Sequence, residues 1–369
     1  MLKNRATAEA TADYARRFSA LPGNYRTAIG LTVASIGIGT YLGENDAATD
    51  RAYQEAVKAA LLGGINLVDT AVNYRLQRSE RSIGMALAEL AAAGKIRREE
   101  ILVATKGGYL TFDGEVPANP RTWFSEKYLD TGIIEPADLV EGSHCIAPGY
   151  IEAMIEISRA NLGLETIDIY YLHNPESQLG SVDRSELTAR IRRVFELLER
   201  KVAEGAIAVY GTATWNGYRV APDDRSYLSL DEMVRAAQEV GGQDHHFRAI
   251  QLPFNLAMPE ALSVSNQRIK GGQATVLQAA HSMGVAVCAS ASLLQGRLTR
   301  GLPPVVAEAF SGLKTDAQRA LQFVRSTPGI DVALVGMKSA EHVREILETA
   351  MVPPAPFDAI LKLFRRAEE

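Results

Sequence analysis

Eight short apolar runs, each followed by a helical stretch or an irregular segment, constrain this chain more than any other feature. They are ASIGIG (34–39), INLVD (65–69), ILVATK (101–106), IDIYYLH (167–173), AIAVYGTA (206–213), FRAIQL (247–252), VAVCAS (285–290) and DVALVG (331–336). Each is rich in Val and Ile and nearly continuous in apolar residues, as strands buried on both faces are. Between them, stretches such as RAYQEAVKAALLGG, SERSIGMALAELAAAG, SELTARIRRVFELLERKVAEG and AEHVREILETA carry Ala, Leu, Glu and Arg at helical spacing. Glycines close several of these helices, at Gly63, Gly94 and Gly205. Strand–helix alternation repeated eight times predicts parallel pairing through right-handed crossovers. Eight such units closing on themselves form an α/β (β/α)8 TIM barrel. An open, doubly wound sheet is the alternative, but GIGTYLG after the first strand lacks the GxGxxG spacing and an acidic partner.

A barrel of this kind takes up most of 369 residues. The expected division is an N-terminal extension over 1–30 and one barrel domain over 31–369, interrupted by an insertion at 107–148. That insertion is rich in Pro and Gly, and its aromatics (Tyr109, Phe112, Trp123, Phe124, Tyr128) favour an ordered lid. A second irregular region, 217–230 with 257–272, is shorter and more polar. The leading segment MLKNRATAEATADYARRF has no apolar core of a secretory signal and reads as a peripheral helix or flexible lead. No stretch is apolar enough to span a membrane.

A formal net charge of −5 without a basic block argues against nucleic-acid binding. Two cysteines far apart in sequence, Cys145 and Cys288, do not make a disulfide framework, so a reducing cytoplasm is expected. His144, His245, His246, His281 and His342 show no metal-ligand spacing at strand ends, and His245-His246 precedes a strand. No metal is expected. His144-Cys145 reads as surface loop, and one of Tyr170 and Tyr171 should point into the barrel.

In a barrel, catalytic groups collect where strands end at the C-terminal face. Those ends carry Asp69, Lys106 and His173, with Tyr74 just beyond Asp69. Singly, each has a structural reading, such as a loop cap, a solvated lysine or a buried histidine. Together they are chemically complementary. A phenol is a poor proton donor at neutral pH. A nearby ammonium stabilises its anion and lowers its pKa, while a carboxylate keeps the ammonium charged and in place. A histidine can orient a carbonyl oxygen or share the proton. The set makes Tyr74 a general acid toward a developing alkoxide.

The motifs GxNxxDTAxxY, ILVATK, IDIYYLHNP, IQLPFN, LLQGRLT (293–299) and VGMKSAEHV (335–343) resemble those of the aldo-keto reductases, in order and context, from about Ser35 to about Glu348. The resemblance implies reduction of an aldehyde or ketone with NADPH, NADH being the other nicotinamide donor open to it, and a catalytic tetrad of Asp69, Tyr74, Lys106 and His173. It places Thr40 and Tyr41 at the nicotinamide ribose and Gln251 at the carboxamide. Gln295, Gly296 and Arg297 fall in the segment approaching the pyrophosphate, and the cofactor-facing Leu293 ends Ala291-Ser292-Leu293, where the family has Ser-Pro-Leu. Gly336, Lys338, Ser339 and His342 match the adenosine end, and Glu345 a residue that contacts adenine. Two departures bear on the nicotinamide. Ala213 and Thr214 stand where the family usually has Ser-Asn, and Ser290 stands where an aromatic normally stacks. Trp215 or Phe254 could replace that ring, with core packing expected for Phe254. The departures motivate an alternative, a nucleotide-sensing or regulatory barrel with little turnover. The aromatics of the insertion point to an apolar or ring-bearing small-molecule carbonyl substrate. The sequence assigns no oligomeric state.

Overall fold

A computed structural model describes residues 1–364, and the last residues of the expected barrel domain, 365–369, lie outside the described residues. Eight parallel strands close into a barrel: β1 (Ile36–Gly39), β2 (Leu67–Asp69), β3 (Leu102–Gly107), β4 (Ile167–His173), β5 (Ile207–Ala213), β6 (Phe247–Pro253), β7 (Ala286–Ser290) and β8 (Val332–Gly336). Neighbours in sequence are neighbours in the sheet, and β8 pairs with β1. The helices that follow them are α1 (Ala47–Leu62), α2 (Arg78–Ala92), α3 (Pro148–Leu162), α4 (Arg184–Ala203), α5 (Leu230–Gly241), α6 (Val276–Ser282), α7 (Asp316–Ser326) and α8 (Ala340–Ala350). All eight apolar runs in the sequence are barrel strands, so the (β/α)8 reading holds.

Strand periodicity sorts side chains between two cores. Along β3, Val103 packs toward the helices, while Leu102 and Ala104 face the interior. Along β4, Tyr170 and Leu172 face the helices, while Ile169 and Tyr171 face inward. The same alternation points Asp69, Lys106, His173, Ala213 and Gln251 inward at the C-terminal rim. Ladder register aligns them: Asp69 pairs with Ala104, Lys106 with Tyr171, His173 with Ala213, and Ala213 with Gln251. A register shift at Tyr210/Gly211 brings β5 close to β6, where a Cβ on Gly211 would collide with the Ala249 carbonyl.

The barrel's N-terminal end is closed by a hairpin, Tyr25–Ala28 with Leu31–Ala34, whose Ile29 packs against both interior clusters. The expected boundary at 30/31 falls in the turn of this hairpin. A helix at Ala8–Arg17 packs outside it, its Tyr14 hydroxyl donating to the carbonyls of Leu61 (2.6 Å) and Ile65 (3.0 Å). No helix among the described residues is long and apolar enough to cross a membrane.

The insertion between β3 and α3 is ordered by its aromatics. Phe112, Trp123, Phe124 and Tyr128 form a chain of ring contacts that ends on Tyr150 of α3. In the second irregular region, the Asn266 side-chain amide donates to the carbonyls of Tyr218 (2.9 Å) and Val220 (2.8 Å), joining its two halves.

Candidate active site

Asp69 is the last residue of β2, and both of its oxygens are occupied. Lys106 Nζ donates to Oδ1 at 2.6 Å and Gln251 Nε2 to Oδ2 at 2.8 Å. Lys106 also donates to the Thr70 carbonyl at 2.7 Å. Its ammonium lies 4.9 Å from the centroid of the Tyr74 ring. The Tyr74 ring sits 6.0 Å from that of His173, edge to face. The four candidate catalytic residues therefore meet at the rim through three adjacent strands.

Burial pushes the Tyr74 phenol above its ordinary value, and Lys106 pulls it back only in part. This corrects the expectation of a phenol made more acidic than usual. In the ligand-free protein the ammonium offsets desolvation rather than outweighing it. For Lys106, burial acts to lower the pKa, but Asp69 and Tyr74 win and the net shift is upward, so the ammonium persists. His173 lies well below the usual histidine range because of burial, then Lys106 and His144, and is neutral at pH 7. Its Nδ1 is buried without a hydrogen-bond partner.

The insertion supports this site from behind. Correcting the surface-loop reading, His144 and Cys145 are both buried. His144 Nε2 donates to the His173 carbonyl at 2.7 Å, and its Nδ1 accepts from Gln178 Nε2 at 2.8 Å. Because a carbonyl can only accept, this chain of bonds sets the imidazole tautomer. Tyr109 packs edge-on to the His173 ring at 5.1 Å, with its hydroxyl accepting from Asn174 Nδ2 at 3.0 Å. Glu176 is also buried. Its Oε1 accepts from the backbone amides of Trp215, Asn216 and Gly217, pinning the loop after β5. His144, Glu176 and Gln178 stand away from the last strand residues, so position along the repeat gave no signal for them.

The expected cofactor-facing residues fall at the same rim. Buried Thr40 donates to the Asp69 carbonyl at 3.3 Å. Tyr41 is 55% exposed and packs edge-on to Tyr74 at 4.9 Å. Ala213 and Thr214 are buried, and Thr214 Oγ1 has no partner. Ser290 ends β7, opposite Pro253. Leu293 leads into a tight turn in which Gln295, Gly296 and Arg297 are exposed. Gly336 and Lys338 are exposed, and Ser339 caps α8 by accepting from the His342 amide at 3.2 Å. Glu345 is engaged elsewhere, accepting from the Thr315 hydroxyl at 2.7 Å. Gln251 is turned onto Asp69. Of the two candidate replacement rings, Phe254 is buried and stacked on Phe323 at 5.2 Å, whereas Trp215 is 43% exposed. Among the described residues, no three His, Cys, Asp or Glu side chains are grouped to hold a metal.

Comparison with known proteins gives the same architecture and names the family. The model described as "Aldo/keto reductase family" matches residues 35–301 of the 369. The chain is 32% identical over 186 residues to a D-threo-aldose 1-dehydrogenase of Pseudomonas sp, covering 50% of this chain and 51% of that protein. It is 27% identical over 199 residues to aldose reductase B of Dictyostelium discoideum, covering 50% of each. These matches span about half the length of the curated relatives. Among solved structures, an aldo/keto reductase from Klebsiella pneumoniae in complex with NADP and acetate superposes with a TM-score of 0.63 at 20% identity, covering 93% of this chain and 94% of that one. The holo form of an aldo-keto reductase from Bacillus halodurans superposes with a TM-score of 0.62 at 20% identity, covering 92% and 95%. At such identities the likeness is one of fold. With the family match running over most of the chain and onto the closed barrel described above, the chain belongs to the aldo/keto reductase family.

Proposed function

We propose that the protein reduces an aldehyde or ketone to an alcohol, using NADPH, with Tyr74 as the proton donor. The observation that carries this reading is the buried Lys106 ammonium, bonded to Asp69 and facing Tyr74 beside a neutral His173. NADPH, when bound, supplies the hydride. The chain's own residues fit such a group. Arg297 and Lys338 are exposed cations suited to phosphates, and open space lies where a Cβ would stand on Gly296 and Gly336. The extra phosphate that NADPH carries on its adenosine ribose favours it over NADH at a site with exposed cations.

The contacts support the following roles for the side chains. His173, neutral, orients the carbonyl oxygen toward the Tyr74 hydroxyl. Tyr74 hands its proton to that oxygen as negative charge develops there. Lys106 stabilises the phenolate left behind, and Asp69 holds Lys106 in place. The named relatives act on aldoses, so a small polyhydroxy aldehyde joins the ring-bearing carbonyls as a substrate class. The assembled proton-donating set favours turnover over the regulatory alternative, which rests only on the departures at Ala213, Thr214 and Ser290. Two free, buried cysteines are in keeping with the cytoplasm.

The test is NADPH consumption by the purified protein against a panel of aldoses, aliphatic aldehydes and aromatic carbonyls, with NADH in parallel. Turnover on at least one class, at lower KM for NADPH than for NADH, is the expected result. Tight NADPH binding with no turnover on any class would leave the sensor reading in its place.

A further inference from the structure

Directly after Tyr74, the residues Arg75, Leu76 and Gln77 have φ of 50°, 54° and 73°. Residues with a side chain enter the left-handed region singly, because Cβ crowds the following carbonyl. Here three in succession form one left-handed turn between the proton donor and α2. Helix capping does not explain it: Gln77 stands at the cap position of α2 and makes no capping bond.

The turn is clamped from two sides. Arg75 is buried, and its Nε donates to the Glu44 carbonyl at 2.7 Å. One terminal nitrogen reaches the Asp46 carbonyl at 3.2 Å and Asp50 Oδ1 at 2.7 Å. The guanidinium also lies over the Tyr53 ring at 5.6 Å. All four partners belong to the segment after β1 and to α1, which continue from Thr40 and Tyr41. On the other side, Gln77 Nε2 donates to the Phe112 carbonyl at 2.9 Å, and the Gly114 amide donates to the Leu76 carbonyl at 2.9 Å. Strained backbone persists where its surroundings over-determine it, and such places cluster at functional sites.

We propose that this clamped left-handed turn positions the Tyr74 hydroxyl, with Arg75 as a positioning residue tying the proton donor to the Thr40–Asp50 segment. The inference rests on the reductase reading above. It makes Tyr74 depend on a segment that, through Tyr41, faces the expected nicotinamide ribose position.

Comparing Leu76→Gly with Leu76→Ala isolates backbone freedom, since both remove the same side chain. Glycine takes the left-handed region without crowding. Leu76→Gly should therefore melt about 1–3 °C above Leu76→Ala. It should nevertheless transfer hydride about tenfold more slowly in a single turnover, because Tyr74 is less firmly held. NADPH dissociation constants should agree within about twofold. Arg75→Ala should slow the same step, and Arg75→Lys should recover part of the rate by keeping a cation opposite Asp50. A merely structural turn would make the more stable variant at least as fast. Equal rates in the two Leu76 variants of an active enzyme overturn the positioning role alone, as does a higher melting temperature for Leu76→Ala. A wild type inert toward every carbonyl overturns the reductase reading and the positioning role with it.

Discussion

At the scale of single residues, the chemistry turns on how burial and one ammonium divide their influence over Tyr74. Burial raises the phenol and Lys106 lowers it, with burial ahead. Tyr74 is thus protonated across the neutral range, as the proposed donor role requires. The fall in kcat/KM at high pH should begin above the ordinary phenol pKa of about 10. Replacing Lys106 by Met removes the lowering influence, so that fall should move to still higher pH. The plateau should drop about 100-fold, because no cation would meet the phenolate. A pH profile of kcat/KM for both proteins checks this, and a shift of the variant's fall to lower pH would contradict it. The substitution also leaves Asp69 buried with Gln251 as its remaining side-chain donor, which should cost about 3–5 kcal/mol of stability.

At the scale of elements, the strands were legible because a strand buried on both faces must be apolar along its length. Reading their last residues then reached Asp69, Lys106 and His173, since inward side chains at the C-terminal rim have nowhere to go but the mouth. What was hidden depends on tertiary contact. His144 is 29 residues from the carbonyl it holds, and nothing local marks it as buried. The turn at Arg75–Gln77 was equally hidden, because no glycine announces its left-handed backbone. The insertion was readable as ordered from its aromatics, but their destination was not. Trp123, Phe124 and Tyr128 pack toward Tyr150, leaving Tyr109 as the one in ring contact with His173. Tyr128 is buried, yet its hydroxyl has no partner. Removing that hydroxyl in Tyr128→Phe should leave stability unchanged or raise it by up to about 1 kcal/mol, while Tyr128→Ala should cost about 3–5 kcal/mol. Denaturant unfolding of the two variants distinguishes this from a hydroxyl with a hidden structural bond, for which Tyr128→Phe would itself destabilise.

At the scale of the molecule, the barrel is held at both ends by parts outside the repeat. The N-terminal hairpin closes one end, and the chain before it is anchored where the Ala6 amide donates to Asp168 Oδ1 at 2.7 Å. Asp168 in turn is ion-paired with Arg98 at 2.7 Å in the interior. At the other end, His144 is buried as a neutral ring with its pKa lowered to about 4. Its folded value is below the unfolded one, so its contribution is complete above about pH 6.5 and is lost as pH falls toward 4. His144→Gln, which keeps a donor for the His173 carbonyl, should therefore lose less stability between pH 7 and pH 4 than the wild type. The difference should be on the order of 2–3 kcal/mol in unfolding free energy, and parallel pH dependences would show that His144 is not buried neutral. The central claim, that Tyr74 gives its proton to the substrate oxygen, is tested most directly by stopped-flow hydride transfer from NADPH in Tyr74→Phe. A rate reduced by about 100- to 10,000-fold, with NADPH affinity within about twofold of wild type, is the predicted result; a rate equal to that of the wild type would contradict it.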